Sequence, residues 1–191
     1  MEMWTQSREN REIILTYAGS PGHKDCLDRV VSTISDLAAK YEVRLEIIGI
    51  DEQQFKTIFD YSGDVSHANI DFHGRLSHEE ALKRLMASDF QIFIRDNNLT
   101  TEAGFPTKFV ESITAGVPVL ANLTSNLGDY LQQGKNGFPI DASTDETLKS
   151  SLERVLSLPK EELLKVRKEI NRDLFDYRCY IPQVKEFLEQ L

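Results

Sequence analysis

Residues 104–122 read GFPTKFVESITAGVPVLAN: the end of a loop, a short amphipathic segment and an apolar run in immediate succession. Pro106 suits the first turn of a helix, where its missing N–H leaves no hydrogen bond unmade and its fixed φ is already helical. Gly116 and Pro118 form the matching stop, a left-handed cap followed by a residue that cannot extend the helix. Between them Phe109, Val110 and Ile113 fall on one face, and Lys108, Glu111 and Ser112 on another. Val117–Ala121 is long enough only for a buried strand. The stretch therefore spells loop, helix and buried strand, the repeating unit of an α/β sheet.

The start of this helix has free backbone N–H groups, the positive end of the helix dipole and Lys108 in its first turn, which together favour an anion. Glu111 lies about one turn deeper, where a carboxylate can accept hydrogen bonds from two adjacent sugar hydroxyls. A phosphate at the helix mouth with a ribose beside it describes a nucleoside diphosphate. The same residues also make an ordinary surface helix with a solvated lysine and glutamate. On this stretch alone the two readings stand side by side.

The stretch resembles the donor-site signature of the GT-B-fold group 1 retaining glycosyltransferases, in particular polysaccharide-assembly enzymes whose helix begins Phe-Pro-Thr/Ser-Lys, as 105–108 does here. The resemblance implies that Gly104, Phe105, Thr107 and Lys108 bind the donor diphosphate. In that family two glutamates stand eight positions apart, one toward the transferred sugar and one on the donor ribose. Glu111 matches the ribose glutamate. The other falls at Ala103, with Glu102 adjacent but one residue out of register, so Glu102 and Ala103 are the candidates for the donor sugar and the sequence departs from the family there.

Working outward, Ile13–Tyr17 is an apolar strand running into Ala18-Gly-Ser-Pro-Gly-His-Lys-Asp, a turn dense in glycine and proline. Asp25 is placed to cap the next helix, which carries Leu27, Val30, Val31, Ile34, Leu37 and Ala38 at helical spacing. Strand, glycine-rich turn and helix start form a phosphate-binding arrangement, although the spacing is neither a Walker loop nor the dinucleotide fingerprint. A plain tight turn is the alternative. The resemblance puts a basic pair on the donor diphosphate in this loop, and implies that Gly19 and Lys24 belong to that site. Lys24 resembles the lysine of the pair, and Ser20 occupies the usual arginine position.

Further strands are expected at 43–50, 70–72, 90–94, 117–121 and 138–140, with helices between them. Ser77 and Glu80 form a capping box for a helix that turns Ala81, Leu82, Leu85 and Met86 inward. The family places the loop at Gly74-Arg75-Leu76 against the nucleotide base, so Arg75 and Leu76 are the base-binding candidates; a solvated loop is the other reading of Arg75. Residues 95–106 show no apolar periodicity, and a loop of that length in a compact domain tends to be functional. It is read as part of the sugar pocket, with Arg95 and Asp96 as candidates there or as an ion pair at a strand end. After position 122 an amphipathic helical turn is expected to end at Gly134. Asp129 and Lys135-Asn-Gly loosely fit a family pattern of carboxylate and turn.

The chain has 191 residues, 40% hydrophobic and 28% charged, the composition of a globular domain that can bury a core. A formal net charge of −9 argues against nucleic acid as a partner. No apolar run is long enough to span a membrane, and the start MEMWTQSREN lacks the apolar segment of a secretory signal. Cys26 and Cys179 are too few for a disulfide framework, so a cytoplasmic location, including the inner face of the membrane, is the expectation. No cofactor or metal is expected beyond the donor substrate: His23, His67, His73 and His78 show no ligand spacing with the carboxylates.

The expected architecture is α/β, a doubly wound parallel sheet that is Rossmann-like and corresponds to a GT-B C-terminal domain, with a helical C-terminal tail. Residues 1–11 are a linker or flexible lead-in, 12–142 the nucleotide-sugar-binding domain, and 143–191 C-terminal helices packed on it. The resemblance covers roughly 12–142 and implies a nucleotide-sugar donor as ligand and a missing N-terminal acceptor-binding domain as partner, so that this half alone transfers little sugar. Three functions follow: the donor-binding domain of a retaining glycosyltransferase in surface polysaccharide or glycoconjugate assembly, a stand-alone non-catalytic nucleotide-sugar-binding or regulatory module, or an unrelated doubly wound protein. A receiver domain needs an acidic cluster at the strand ends, and the first strand offers none.

Overall fold

A computed structural model describes residues 12–190 except 21, 23 and 66–68. The proposed lead-in at 1–11, His23 and His67 lie outside the described residues. The chain alternates β1 (Ile13–Ala18), α1 (Leu27–Ala38), β2 (Val43–Ile48), α2 (Glu52–Ile58), β3 (Ile70–Phe72), α3 (His78–Ala87) and β4 (Phe90–Phe93). It continues with α4 (Leu99–Glu102), α5 (Thr107–Ala115), β5 (Val119–Ala121), β6 (Gly137–Pro139), α6 (Asp145–Leu156), α7 (Lys160–Glu169) and α8 (Ile181–Glu189). All six expected strands are present, each within a few residues of its expected bounds.

The strands form one parallel sheet in the order β3-β2-β1-β4-β5-β6. The chain first steps from β1 outward through β2 to β3, then returns to lay β4 on the other side of β1. With right-handed crossovers, the reversal sends the helices of the two halves to opposite faces. Consistently, α1 packs against α6, and α3 against α5. Both faces being covered, the strands need no polar side: all four residues of β4 are buried, as are all three of β5.

Helix α5 behaves largely as its sequence dictates. Phe109 and Ile113 are fully buried, and Gly116 closes the helix at φ 74° and ψ 34°. The Gly116 N–H donates to the Ser112 and Ile113 carbonyls and the Val117 N–H to Ser112, which satisfies the last carbonyls of the helix. Pro106 sits one residue earlier than expected, at the N-cap rather than in the first turn, with φ −73° and ψ 108°. Ser112 is also corrected: it is fully buried and its hydroxyl donates to the Val117 carbonyl at 2.8 Å, so it does not share the exposed face of Glu111. On the helical wheel it falls between Lys108 and Phe109, and the hydroxyl is used where the chain turns into β5.

Three other expectations change. Asp25 does not cap α1; the N-cap is Cys26, whose side chain makes no capping bond. In α3, capped by Ser77 and Glu80 as expected, only Leu85 is buried, packed with Ala115 and Val117, while Leu82 and Met86 stay exposed. The narrow contact of α3 with α5 covers one stripe of side chains, not two. The segment after β5 forms a short 3₁₀ turn at Leu127–Asp129 instead of an amphipathic turn reaching Gly134.

The tail contributes to the core through Leu148, Leu152 and Val155 of α6 and Leu163 and Val166 of α7. Between α7 and α8, Phe175 joins Phe105, Phe109 and Tyr130 in one aromatic cluster with centroid separations of 5.2–6.0 Å. This cluster fastens the mouth of α5 to both neighbouring segments. Helix α8 buries none of its side chains; Val184, Phe187 and Leu188 are 54–61% exposed.

Candidate functional site

The loops after β1 and β4 part company because their helices go to opposite faces, and a crevice opens where they diverge. It is a cavity of about 960 Å³ lined by the first loop (Ser20, Gly22, Lys24, Asp25), the segment after β4 (Arg95, Asn98, Leu99, Thr100, Gly104) and the start of α5 (Phe105–Lys108), with Phe93 between them. The segment 95–106, expected to be irregular, contains α4, a single helical turn whose start is capped by the Asn98 side chain.

The helix mouth is open. The N-cap residue Pro106 makes no side-chain capping bond, and it lines the cavity with Thr107 and Lys108. The Phe109 N–H donates to the Pro106 carbonyl at 3.0 Å, which leaves the N–H groups of Thr107 and Lys108 as the orphan donors of the first turn. Phe105 is held edge-on by Phe109 and Tyr130, which fixes the backbone at the mouth. Lys108 reaches back across the first loop. A Cβ on Gly19 would lie 3.0 Å from Lys108 Cε and 3.1 Å from Nζ, and Gly19 holds φ +137°, so glycine here clears the path of the lysine.

The Lys108 ammonium ends 2.9 Å from Asp25 Oδ2 and 5.0 Å from the centre of the Tyr17 ring. Asp25 is only 8% exposed and also accepts the Tyr17 hydroxyl at 2.6 Å. Burial, reinforced by the adjacent Asp25 carboxylate, pushes the Tyr17 phenol far above its usual range, so it serves as a permanent donor. Arg95 lies with Nε 4.0 Å from Asp25 Oδ1 and donates from Nη1 to the Gly104 carbonyl at 3.0 Å. Its own backbone is pinned by Asn122, which accepts the Arg95 N–H at 2.9 Å and donates to its carbonyl at 2.7 Å. The floor of the cavity is thus a buried carboxylate between a lysine and an arginine.

Cys26, the neighbour of Asp25, is inert at neutral pH. Burial and a 3.1 Å hydrogen bond to Asp96 push its thiol up to about 12, which leaves too little thiolate for nucleophilic chemistry. Asp96 is thereby occupied outside the cavity lining. Among the described residues, no group of three or more His, Cys, Asp or Glu side chains could hold a metal ion. No helix among them is long and apolar enough to cross a membrane.

The structure brings Lys24, Gly104, Phe105, Thr107 and Lys108 to one cavity, with Gly19 under the lysine. Glu111 is exposed on α5, one turn from Lys108, without a hydrogen-bond or ion-pair partner among the described residues, and is not part of the cavity lining. Nor are Arg75 (exposed), Leu76 (half-buried), Glu102 and Ala103 (both exposed), although Gly104 next to them is. Sequence reasoning missed Asp25 and Tyr17. Asp25 precedes a helix and mimics a cap, and Tyr17 reads as one more apolar strand residue.

A switch-point cavity floored by basic side chains beside an uncapped helix start agrees with the family comparison. Residues 2–173 match the model of the family described as glycosyl transferases group 1. The chain belongs to that family. No curated protein matches it in sequence. Solved structures similar in fold include WaaG, a glycosyltransferase involved in lipopolysaccharide biosynthesis, at 21% identity and a TM-score of 0.65 over 88% of this chain and 44% of that one. The lipopolysaccharide outer core galactosyltransferase WaaB has 16% identity and a TM-score of 0.67 over 97% and 51% of the two chains. The Anabaena protein HepE, solved in complex with UDP and glucose, has 14% identity and a TM-score of 0.71 over 95% and 49%. At these identities the likeness is one of fold. The chain spans about half the length of these solved chains.

Proposed function

We propose that this chain is the donor-binding domain of a retaining group 1 glycosyltransferase, taking a nucleoside-diphosphate sugar for polysaccharide or glycoconjugate assembly at the cytoplasmic side. One observation carries the reading: at the switch point, Lys24, Arg95 and Lys108 converge on the uncapped start of α5. Cationic side chains and helix N–H groups together suit a diphosphate. In this reading Gly19, Lys24, Gly104, Phe105, Thr107 and Lys108 hold the diphosphate, and Arg95 supplies the charge absent at Ser20. Glu111 takes the ribose, the loop at Arg75 and Leu76 takes the base, and Glu102 and Ala103 lie toward the sugar. No cofactor is needed, because basic side chains and the helix dipole neutralise the phosphates. The acceptor is supplied by a further domain, in keeping with a chain half as long as the solved structures it resembles.

A non-catalytic binding module is the second reading, and Ala103, where the family has a glutamate, favours it. Calorimetric titration with UDP, GDP, ADP and their sugars, with and without EDTA, tests the proposal. Binding of one nucleotide series, unaffected by the chelator, is expected; absence of binding by all of them would refute it. Robust sugar transfer to an acceptor by residues 1–191 alone would refute the assignment as a donor half.

A further inference from the structure

Asp25 is out of place in a site for an anion. Among the described residues lining the cavity it is the one carboxylate, against three cations, Lys24, Arg95 and Lys108. It is 8% exposed and bonded to Lys108 at 2.9 Å and to the Tyr17 hydroxyl at 2.6 Å, so it cannot swing away when a ligand arrives. It caps no helix. A buried carboxylate is costly to maintain, and here it also repels a phosphate. A site built only for maximal affinity would carry a neutral residue at this position.

We infer that Asp25 is a specificity-determining residue that weakens binding of the spent nucleoside diphosphate relative to the intact nucleotide sugar. The inference rests on the donor reading above. Both phosphates of a nucleotide sugar are esterified or bridged on two sides, so its diphosphate carries two negative charges. Transfer breaks the bond between the anomeric carbon and the β-phosphate oxygen, and the electron pair stays on that oxygen. The anomeric carbon bonds to the acceptor oxygen, whose proton passes to solvent. The β-phosphate is now terminal, with a second ionisation near pH 6, and at neutral pH the product carries a third charge. Three cations and one carboxylate leave the described lining at a net +2, matched to the donor and short by one for the product. The third charge is met by Asp25, and the product leaves.

The experiment is calorimetry on the full chain with UDP and UDP-glucose, GDP and GDP-mannose, and ADP and ADP-glucose, comparing wild type with Asp25→Asn. The amide keeps the size of the side chain and can still accept the Tyr17 hydroxyl. The affinity ratio of nucleoside diphosphate to nucleotide sugar should rise about 5- to 30-fold, the size of one charge pair several ångströms apart near a protein surface. If Asp25 merely positions Lys108, both ligands change by the same factor, and that result overturns the proposal. Ser20→Asp, an exposed substitution on the same rim, should lower the ratio about 2- to 5-fold. Should Asp25→Asn not fold, an unchanged ratio in Ser20→Asp overturns the proposal by itself. If no pair binds wild type, the donor reading falls and this proposal with it; binding with unmoved ratios sinks the proposal alone.

Discussion

Replacing Lys108 by methionine separates its structural role from its ligand role. Methionine keeps the apolar stem that lies along Gly19 and Tyr17 and removes the ammonium. Asp25 then loses a 2.9 Å ion pair but keeps the Tyr17 hydroxyl and the Arg95 guanidinium 4.0 Å away. A fully orphaned buried charge would cost ~3–5 kcal/mol. With two partners left and a cavity open to solvent, the loss should be nearer the ~1.5–3 kcal/mol of one charged hydrogen bond. For a chain of this length that lowers Tm by about 3–12 °C. In an Asp25→Asn background the same substitution should cost under about 0.5 kcal/mol, because no carboxylate is stranded. Thermal unfolding of the four proteins of this cycle measures the coupling. Equal losses in both backgrounds would show that Lys108 and Asp25 are not a pair. Independently, Lys108→Met should weaken nucleoside-diphosphate binding by roughly 1.5–3 kcal/mol and leave a nucleoside without phosphates nearly unaffected.

Glu111→Gln should reduce nucleotide affinity by roughly 1–3 kcal/mol with little change in Tm, since the side chain is exposed. A 2′,3′-dideoxy nucleotide should bind wild type more weakly but the variant hardly less; equal losses would remove Glu111 from the ribose. Gly116→Ala should destabilise the fold by about 1–2 kcal/mol in a denaturant titration, because φ is +74°; the Arg172 guanidinium that a Cβ would meet ends an exposed side chain that can move aside. A thiol reagent at pH 8 should modify exposed Cys179 quickly and buried Cys26 only as fast as the protein opens. Because the folded Cys26 pKa is raised, its contribution to stability is complete below the unfolded pKa near 9 and is lost as pH rises toward about 12. Stability unchanged across that window, in a comparison with Cys26→Ser, would contradict the assignment.

The elements were legible in the sequence because their signals are local. Gly116 and Pro118 announce the end of α5 whatever surrounds them, and Ser77 with Glu80 announces the start of α3. The alternation of apolar runs with 3.6-residue periodicity reports a parallel sheet, since only a sheet covered on both faces can bury every residue of strands such as β4 and β5. Lys108 at the mouth of α5 was likewise visible. The floor of the cavity was not. Tyr17, Asp25, Arg95 and Lys108 come from separate segments, Asp25 and Lys108 standing 83 positions apart. They meet only because β4 returns to lie beside β1. An aspartate just ahead of a helix obeys the capping rule equally well whether it bonds its own helix or a lysine on another. Local propensity cannot separate those outcomes, and the strand order decides between them.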